Sequence, residues 1–248
     1  MFNLFIFIFD KPNSEDKMIE QIKKIRILNV IFDTEILGHE IPAFRGAIVN
    51  KVGTKDTLLF HNHTGNNEFN YKYPLIQYKQ ISKKPAIVCI DQGVDEIHKF
   101  FENKNWDLDI SGRTLSMKID KLNMNQFTMQ VWNKHFQYNI HHWIALNQEN
   151  FPKFQAIDNL TDRILFLENT LKANILSFAK GIEWAVDKQI EVKIQDLNQM
   201  RPVNLKGKKV TGFDVQFTSN VFLPNFIGLG KSVSLGYGVV RAIKNYEL

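Results

Sequence analysis

Asn220 to Gly238 reads NVFLPNFIGLGKSVSLGYG, and its second half, from Gly228 onward, is the densest signal in the chain. Glycines at 228, 230, 236 and 238 can take positive φ and admit another backbone at close range. Lys231, Ser232 and Ser234 stand between them. A loop of exposed amides, one ammonium and two hydroxyls suits phosphate oxygens. Spacing excludes two common phosphate motifs. A Walker A loop needs glycine at 225, where Asn225 stands, and a dinucleotide fingerprint needs glycine at 233, where Val233 stands. A tight turn between strands remains the plain alternative to phosphate binding.

Upstream of this tail the hydrophobic pattern predicts two rounds of strands and helices. Lys23–Asp33 is β-branched and apolar, as a central strand should be. Leu37, Ile41, Phe44 and Ile48 fall at helical spacing and predict a helix over 38–51, with Pro42 in its first turns. Strand-like runs follow at Thr57–His61, Pro74–Ile81 and Pro85–Ile90, then a short helix carrying Ile97, Phe100 and Phe101, then a strand near Thr114–Ile119. The order is β-α-β-β-α-β, the ferredoxin-like unit. The second round has strands at Phe127–Phe136 and Tyr138–Leu146. A long helix marked by Leu160, Ile164, Leu167, Leu171, Ile175 and Phe178 comes next, ending near Gly181. Strands at Ile190–Ile194, Lys208–Phe217 and Val239–Ile243 complete it. The expected fold is therefore α+β, two tandem ferredoxin-like (RRM-like) domains over 1–124 and 125–248, with the boundary near Leu122–Asn125. No repeat is visible at the level of residues, so the duplication rests on pattern alone.

Composition narrows the class. The 248 residues are 44% hydrophobic and 23% charged, which supports a real core and rules out disorder. Cys89 is the one cysteine, so there is no internal disulfide and no CxxC metal site, and a reducing compartment is expected. The net charge of +5 leans towards a polyanionic partner. MFNLFIFIF at the start lacks the basic flank and cleavage site of a signal peptide and is far short of a membrane span. A cytoplasmic protein with no membrane partner is expected, with residues 1–17 read as an extension outside the regular patterning.

The tail and the element order together resemble the CRISPR-associated repeat-processing endoribonucleases of the Cas-six family, in the variety associated with subtype I-B systems. The resemblance runs through IPAFRGAIVNK at 41–51, LLFHNH at 58–63, YKYPLIQYK at 71–79, WIALNQENF at 143–151 and the tail itself. It implies metal-independent cleavage of CRISPR repeat RNA in the precursor transcript, leaving a 2′,3′-cyclic phosphate and a 5′-hydroxyl, with no cofactor. It also implies repeat and guide RNA as partners, and leaves room for other subunits of a type I CRISPR effector complex and for a homodimer.

The residues matching the family's catalytic block are His63 first, then His61 and Tyr71. If 58–63 is extended, the two imidazoles share one side of the strand. Cleavage by the RNA's own 2′-hydroxyl needs a base for that proton and an acid for the departing 5′-oxygen, and imidazole can fill either role. Arg45, Lys51 and Lys72 are near enough in sequence to meet phosphate. Gly228, Gly230, Lys231, Ser232, Ser234, Gly236 and Gly238 form the expected RNA-binding loop. Three other readings compete: a structural histidine pair, half of a metal site completed by His141 and His142, or an RNA-binding subunit of a CRISPR complex that does not cleave. No metal ligand set is assigned.

Overall fold

The computed structural model describes residues 22–53, 58–61 and 73–243. Strand β1 (Lys23–Phe32) forms where the β-branched run predicted it. A 3₁₀ turn at Gly38–Glu40 leads into helix α1 (Ile41–Val52), with Pro42 at its start, where a missing N–H costs nothing. Glu40 is buried and accepts from the Leu37 amide and from Arg113. Those partners, the backbone amide foremost, hold its carboxyl below the usual range. Leu58–His61 is a short helix, α2, and not the expected strand. Phe60 explains it: its ring is buried in the core that α1 covers, which fixes the local chain as a turn of helix.

Strands β2 (Ile76–Ile81) and β3 (Lys84–Ile90) make a hairpin through Ser82 and Lys83, both at positive φ. Helices α3 (Gln92–Glu96) and α4 (His98–Phe101) share the place of the single predicted helix. A small hairpin, β4 (Leu108–Ile110) with β5 (Arg113–Leu115), precedes β6 (Ile119–Met129). The first sheet has the order β2-β3-β1-β6, antiparallel throughout.

Strand β6 is where the sequence reading is corrected most. Residues 122–125, the expected boundary, lie inside it, paired along β1 from Lys23↔Met129 to Phe32↔Ile119. The change of sheet comes at Gln130, and Val131–Trp143 is one continuous strand, β7, where two were expected. Helices α5 (Asn150–Gln155) and α6 (Leu160–Gly181) follow; α6 is capped by the Asn159 side chain accepting from the Asp162 amide. Strands β8 (Val192–Leu205) and β9 (Lys208–Val221) form a long hairpin turned by Lys206 and Gly207, and β10 (Val239–Ala242) closes the second sheet in the order β10-β7-β9-β8. Counting strands within each sheet in chain order (β4 and β5 set aside), both sheets read 4-1-3-2. The duplication that sequence showed only as pattern is a shared topology.

Strands β2 and β3 of the first sheet are buried on both faces, which is why β3 reads PAIVCI without alternation, whereas β6 at the other edge is largely exposed. Val30, Phe32, Tyr78, Ile87 and Cys89 pack under α1 and α4 with Phe44, Ile48 and Phe100. Ile25, Ile27, Val88 and Ile90 join a larger core with Tyr138, Ile140, Phe213, Phe217 and the α6 residues Leu167, Leu171, Ile175 and Phe178. One core thus runs from one unit into the other.

Candidate functional site

The glycine-rich segment takes the place that a second helix holds in the first unit, bridging β9 and β10 with a single 3₁₀ turn at Val233–Leu235. Its glycines are required by packing. A Cβ on Gly230, at φ 94°, would lie 2.7 Å from the Trp143 ring, and one on Gly238 would lie 1.9 Å from the Leu229 carbonyl oxygen. The expectation of a loop of exposed amides is corrected. The Gly228 amide donates to Gln77 Oε1 at 2.9 Å, Leu229 to the Gly238 carbonyl at 2.9 Å, Lys231 to the Ile144 carbonyl at 3.1 Å and Gly238 to the His142 carbonyl at 3.1 Å. Gly236 donates to the Val233 carbonyl at 3.4 Å. Buried amides need partners, and these have found them within the protein. From the first unit, the Tyr73 hydroxyl donates to the Gly228 carbonyl at 2.8 Å and Lys79 Nζ to the Val233 carbonyl at 3.1 Å. Lys79 is fully buried, and desolvation brings its pKa down to about 7. The segment is therefore a seam between the two units. Of its polar side chains Lys231 is exposed, with Ser232 and Ser234 half-buried.

Lys231 faces a cavity of about 1140 Å³ that the sequence reading missed. Six cations line it: Arg163, Arg201, Lys206, Lys208, Lys209 and Lys231. Ile144, Leu146, Phe151, Phe154 and Met200 supply apolar walls, and among the described residues no carboxylate lines it. Four of the cations come from the β8–β9 hairpin, and Arg163 from the first turn of α6. The signal was present in LKGKKV at 205–210, three lysines around a glycine between two strands.

Beside the cavity three polar side chains close a ring. Arg201 Nη2 donates to Asp214 Oδ2 at 3.0 Å and to His142 Nε2, and the His142 amide donates to Asp214 Oδ1 at 2.6 Å. Desolvation, then the Arg201 charge, lower the His142 pKa, while Asp214 pulls the other way.

The other expected residues are placed less fully. His63, Tyr71 and Lys72 lie outside the described residues, and so does the 1–17 extension. His61 closes α2, so the chain is not extended up to that point and the shared-side geometry expected of a strand does not apply there. Arg45 and Lys51 are on α1, and the Lys51 ammonium donates to the Asp107 carbonyl at 2.5 Å; neither lines the cavity. Among the described residues no group of three or more His, Cys, Asp or Glu converges as a metal site would require. Nor is any described helix long and apolar enough to cross a membrane.

Comparison with known proteins gives two family matches in tandem. Residues 23–128 match the Cas6b N-terminal domain and residues 130–243 the Cas6b C-terminal domain. They meet where the chain leaves β6 for β7. A solved Cas6b structure is 28% identical, with a TM-score of 0.78, over 89% of this chain and 100% of that one. A second, described as the CRISPR RNA processing endoribonuclease Cas6b, shares the fold with a TM-score of 0.66 at 24% identity, over 89% of this chain and 100% of that one. An uncharacterized protein of Methanocaldococcus jannaschii is 35% identical over 102 residues, 41% of this chain and 68% of that protein.

Proposed function

The chain belongs to the Cas6b family, and from that premise we propose that it is an endoribonuclease that cuts CRISPR repeat RNA in the precursor transcript, without a metal. The observation that carries the RNA reading is the cavity: six cations around apolar walls, with no lining carboxylate to oppose a phosphate chain. Lysines and arginines on that rim offset phosphate charge, while Phe151, exposed in the cavity wall, offers a face against which a base can pack.

The chemistry is assigned to the 58–71 block. One of His63 and His61 takes the proton of the 2′-hydroxyl. The resulting oxygen attacks the adjacent phosphorus, the bond to the 5′-oxygen breaks, and a protonated imidazole or the Tyr71 hydroxyl returns a proton to it. A 2′,3′-cyclic phosphate and a 5′-hydroxyl result, with atoms and protons balanced and no external water consumed. The first unit thus supplies the acid and base, and the second, 130–243, supplies most of the RNA surface. A subunit that binds RNA without cutting it is the rival reading, since the cavity stands independently of the histidines.

Incubating labelled repeat RNA with the protein in EDTA separates them. Cleavage with 2′,3′-cyclic ends, lost in His63→Ala while RNA affinity persists, supports the nuclease. Tight binding with no cleavage supports the rival. Cleavage only after a divalent metal is restored overturns the proposed mechanism.

A further inference from the structure

The ring of His142, Asp214 and Arg201 does more than tie β7 to the hairpin. His142 sits in an irregularity of β7, where the register with β9 shifts between Ile140 and Trp143, and its φ is 50°. A histidine in that left-handed region is uncommon, and such conformations persist where surrounding contacts over-determine them. Here the contacts are the His142 amide on Asp214, the His142 carbonyl accepting from Gly238, and Nε2 accepting from Arg201. Asp214 is itself buried. The consequence falls on Arg201. Both hydrogen bonds that it makes leave from Nη2 towards two acceptors, Asp214 Oδ2 and His142 Nε2, which hold the guanidinium plane; its buried Nε and its Nη1 are left without a partner among the described residues. Arg201 lines the same cavity as the exposed apolar side chains of Phe151 and Met200.

This arrangement differs from the lysines of the hairpin tip. Lys206, Lys208 and Lys209 are exposed point charges on flexible stems. They suit phosphate at many positions and distinguish no sequence. Arg201 is the reverse. Its charge is partly offset by Asp214, which weakens its pull on phosphate, while its direction is held. A held donor next to an apolar wall suits the acceptor edge of one base whose face packs on that wall.

We propose that His142 and Asp214 are positioning residues that aim the Arg201 Nη1 donors at the acceptor edge of one RNA base, so that Arg201 confers sequence preference where the neighbouring lysines confer affinity alone. This rests on the reading of the cavity as the RNA site. The test is a selection from a random-sequence RNA pool with the full chain, followed by dissociation constants for the selected RNA and its single-base variants across a salt series. Wild-type protein should prefer one base at one position by about tenfold. Arg201→Lys keeps the charge and loses the fixed plane, so it should abolish that preference with the log–log salt slope unchanged. His142→Leu should do the same, the double variant no worse than either single one, and His142→Gln, which restores an acceptor, should recover the preference. The two His142 variants share the strain at φ 50°, so comparing them cancels it; if His142→Leu does not fold, Arg201→Lys decides. An unaltered preference in Arg201→Lys, or no preference in the wild type, overturns the proposal. In Arg201→Gln, which removes the charge, a slope lower by about 0.7 with the preference intact makes Arg201 a phosphate contact and overturns it too. Failure of the cavity reading is separately visible: Lys208→Ala with Lys209→Ala would then bind RNA as the wild type does.

Discussion

Replacing Lys79 with methionine should make the protein more stable, and by an amount that depends on pH in a calculable way. Lys79 is fully buried in β2, its Nζ donating to the Val233 carbonyl at 3.1 Å with no carboxylate partner among the described residues. Desolvation alone lowers its pKa from 10.5 to about 7. In the unfolded chain the amine binds a proton anywhere below 10.5; in the folded chain it does so only below about 7. The folded state is therefore penalised in full below pH 7, and the penalty fades as pH rises towards 10.5. By linkage the penalty is about 5 kcal/mol near pH 6.5 and about 2 kcal/mol near pH 9. Methionine matches the volume and has no proton to bind, but leaves the Val233 carbonyl without its donor, at a cost of about 1–3 kcal/mol. Lys79→Met should thus gain about 2 kcal/mol near neutrality, and the gain should shrink by about 2–3 kcal/mol on going from about pH 6.5 to about pH 9. Cys89, Tyr73, Tyr78 and Tyr138, all pushed up by burial, are common to both proteins and drop out of the difference. Urea unfolding of the two proteins at both pH values measures it. Parallel pH dependences would show that Lys79 carries its charge in the folded protein, and the desolvation argument would fail.

Other outcomes follow from the same structure. His63→Ala should slow cleavage by about 10²–10⁴-fold with little change in repeat-RNA affinity, measured in single turnover; normal cleavage by the His61→Ala, His63→Ala double variant would remove the catalytic assignment. Lys208→Ala with Lys209→Ala should reduce the log–log salt slope of RNA binding by about 1.4, as two phosphate contacts on a single strand require. Gly230→Val should act through stability and not through lost amide contacts, because its side chain would meet the Trp143 ring and the Ile144 carbonyl oxygen. A lowering of about 3 kcal/mol or more in urea is expected, and an unchanged midpoint would refute the packing argument.

The α+β class, the two rounds of elements and the long helix α6 were legible from hydrophobic period alone, because each element carries its own 2.0 or 3.6 repeat. The boundary was not. The pattern ends the first round near Ile119 and opens the second at Phe127, with the boundary near Leu122–Asn125, yet all of 119–129 is one edge strand on β1, and only long-range pairing with Lys23–Phe32 could decide that. The helix at Leu58–His61 escaped for a similar reason, since four apolar or aromatic residues have no period to read and the burial of Phe60 determines them. At the site, the sequence marked the glycine-rich tail as a place of close backbone approach, and the structure shows amides of Gly228, Leu229, Lys231, Gly236 and Gly238 bonded within the protein where exposed ones were expected. Glycine's freedom to approach another backbone is the same whether that backbone is RNA or protein, and only the tertiary structure shows Trp143, Leu229 and Val233 already in contact. The basic cavity depends on residues as distant in sequence as Arg163, Arg201 and Lys231, which meet because α6, the β8–β9 hairpin and the tail border one cavity. Local pattern can mark where cations are dense, but convergence without an opposing carboxylate is a property of the folded chain.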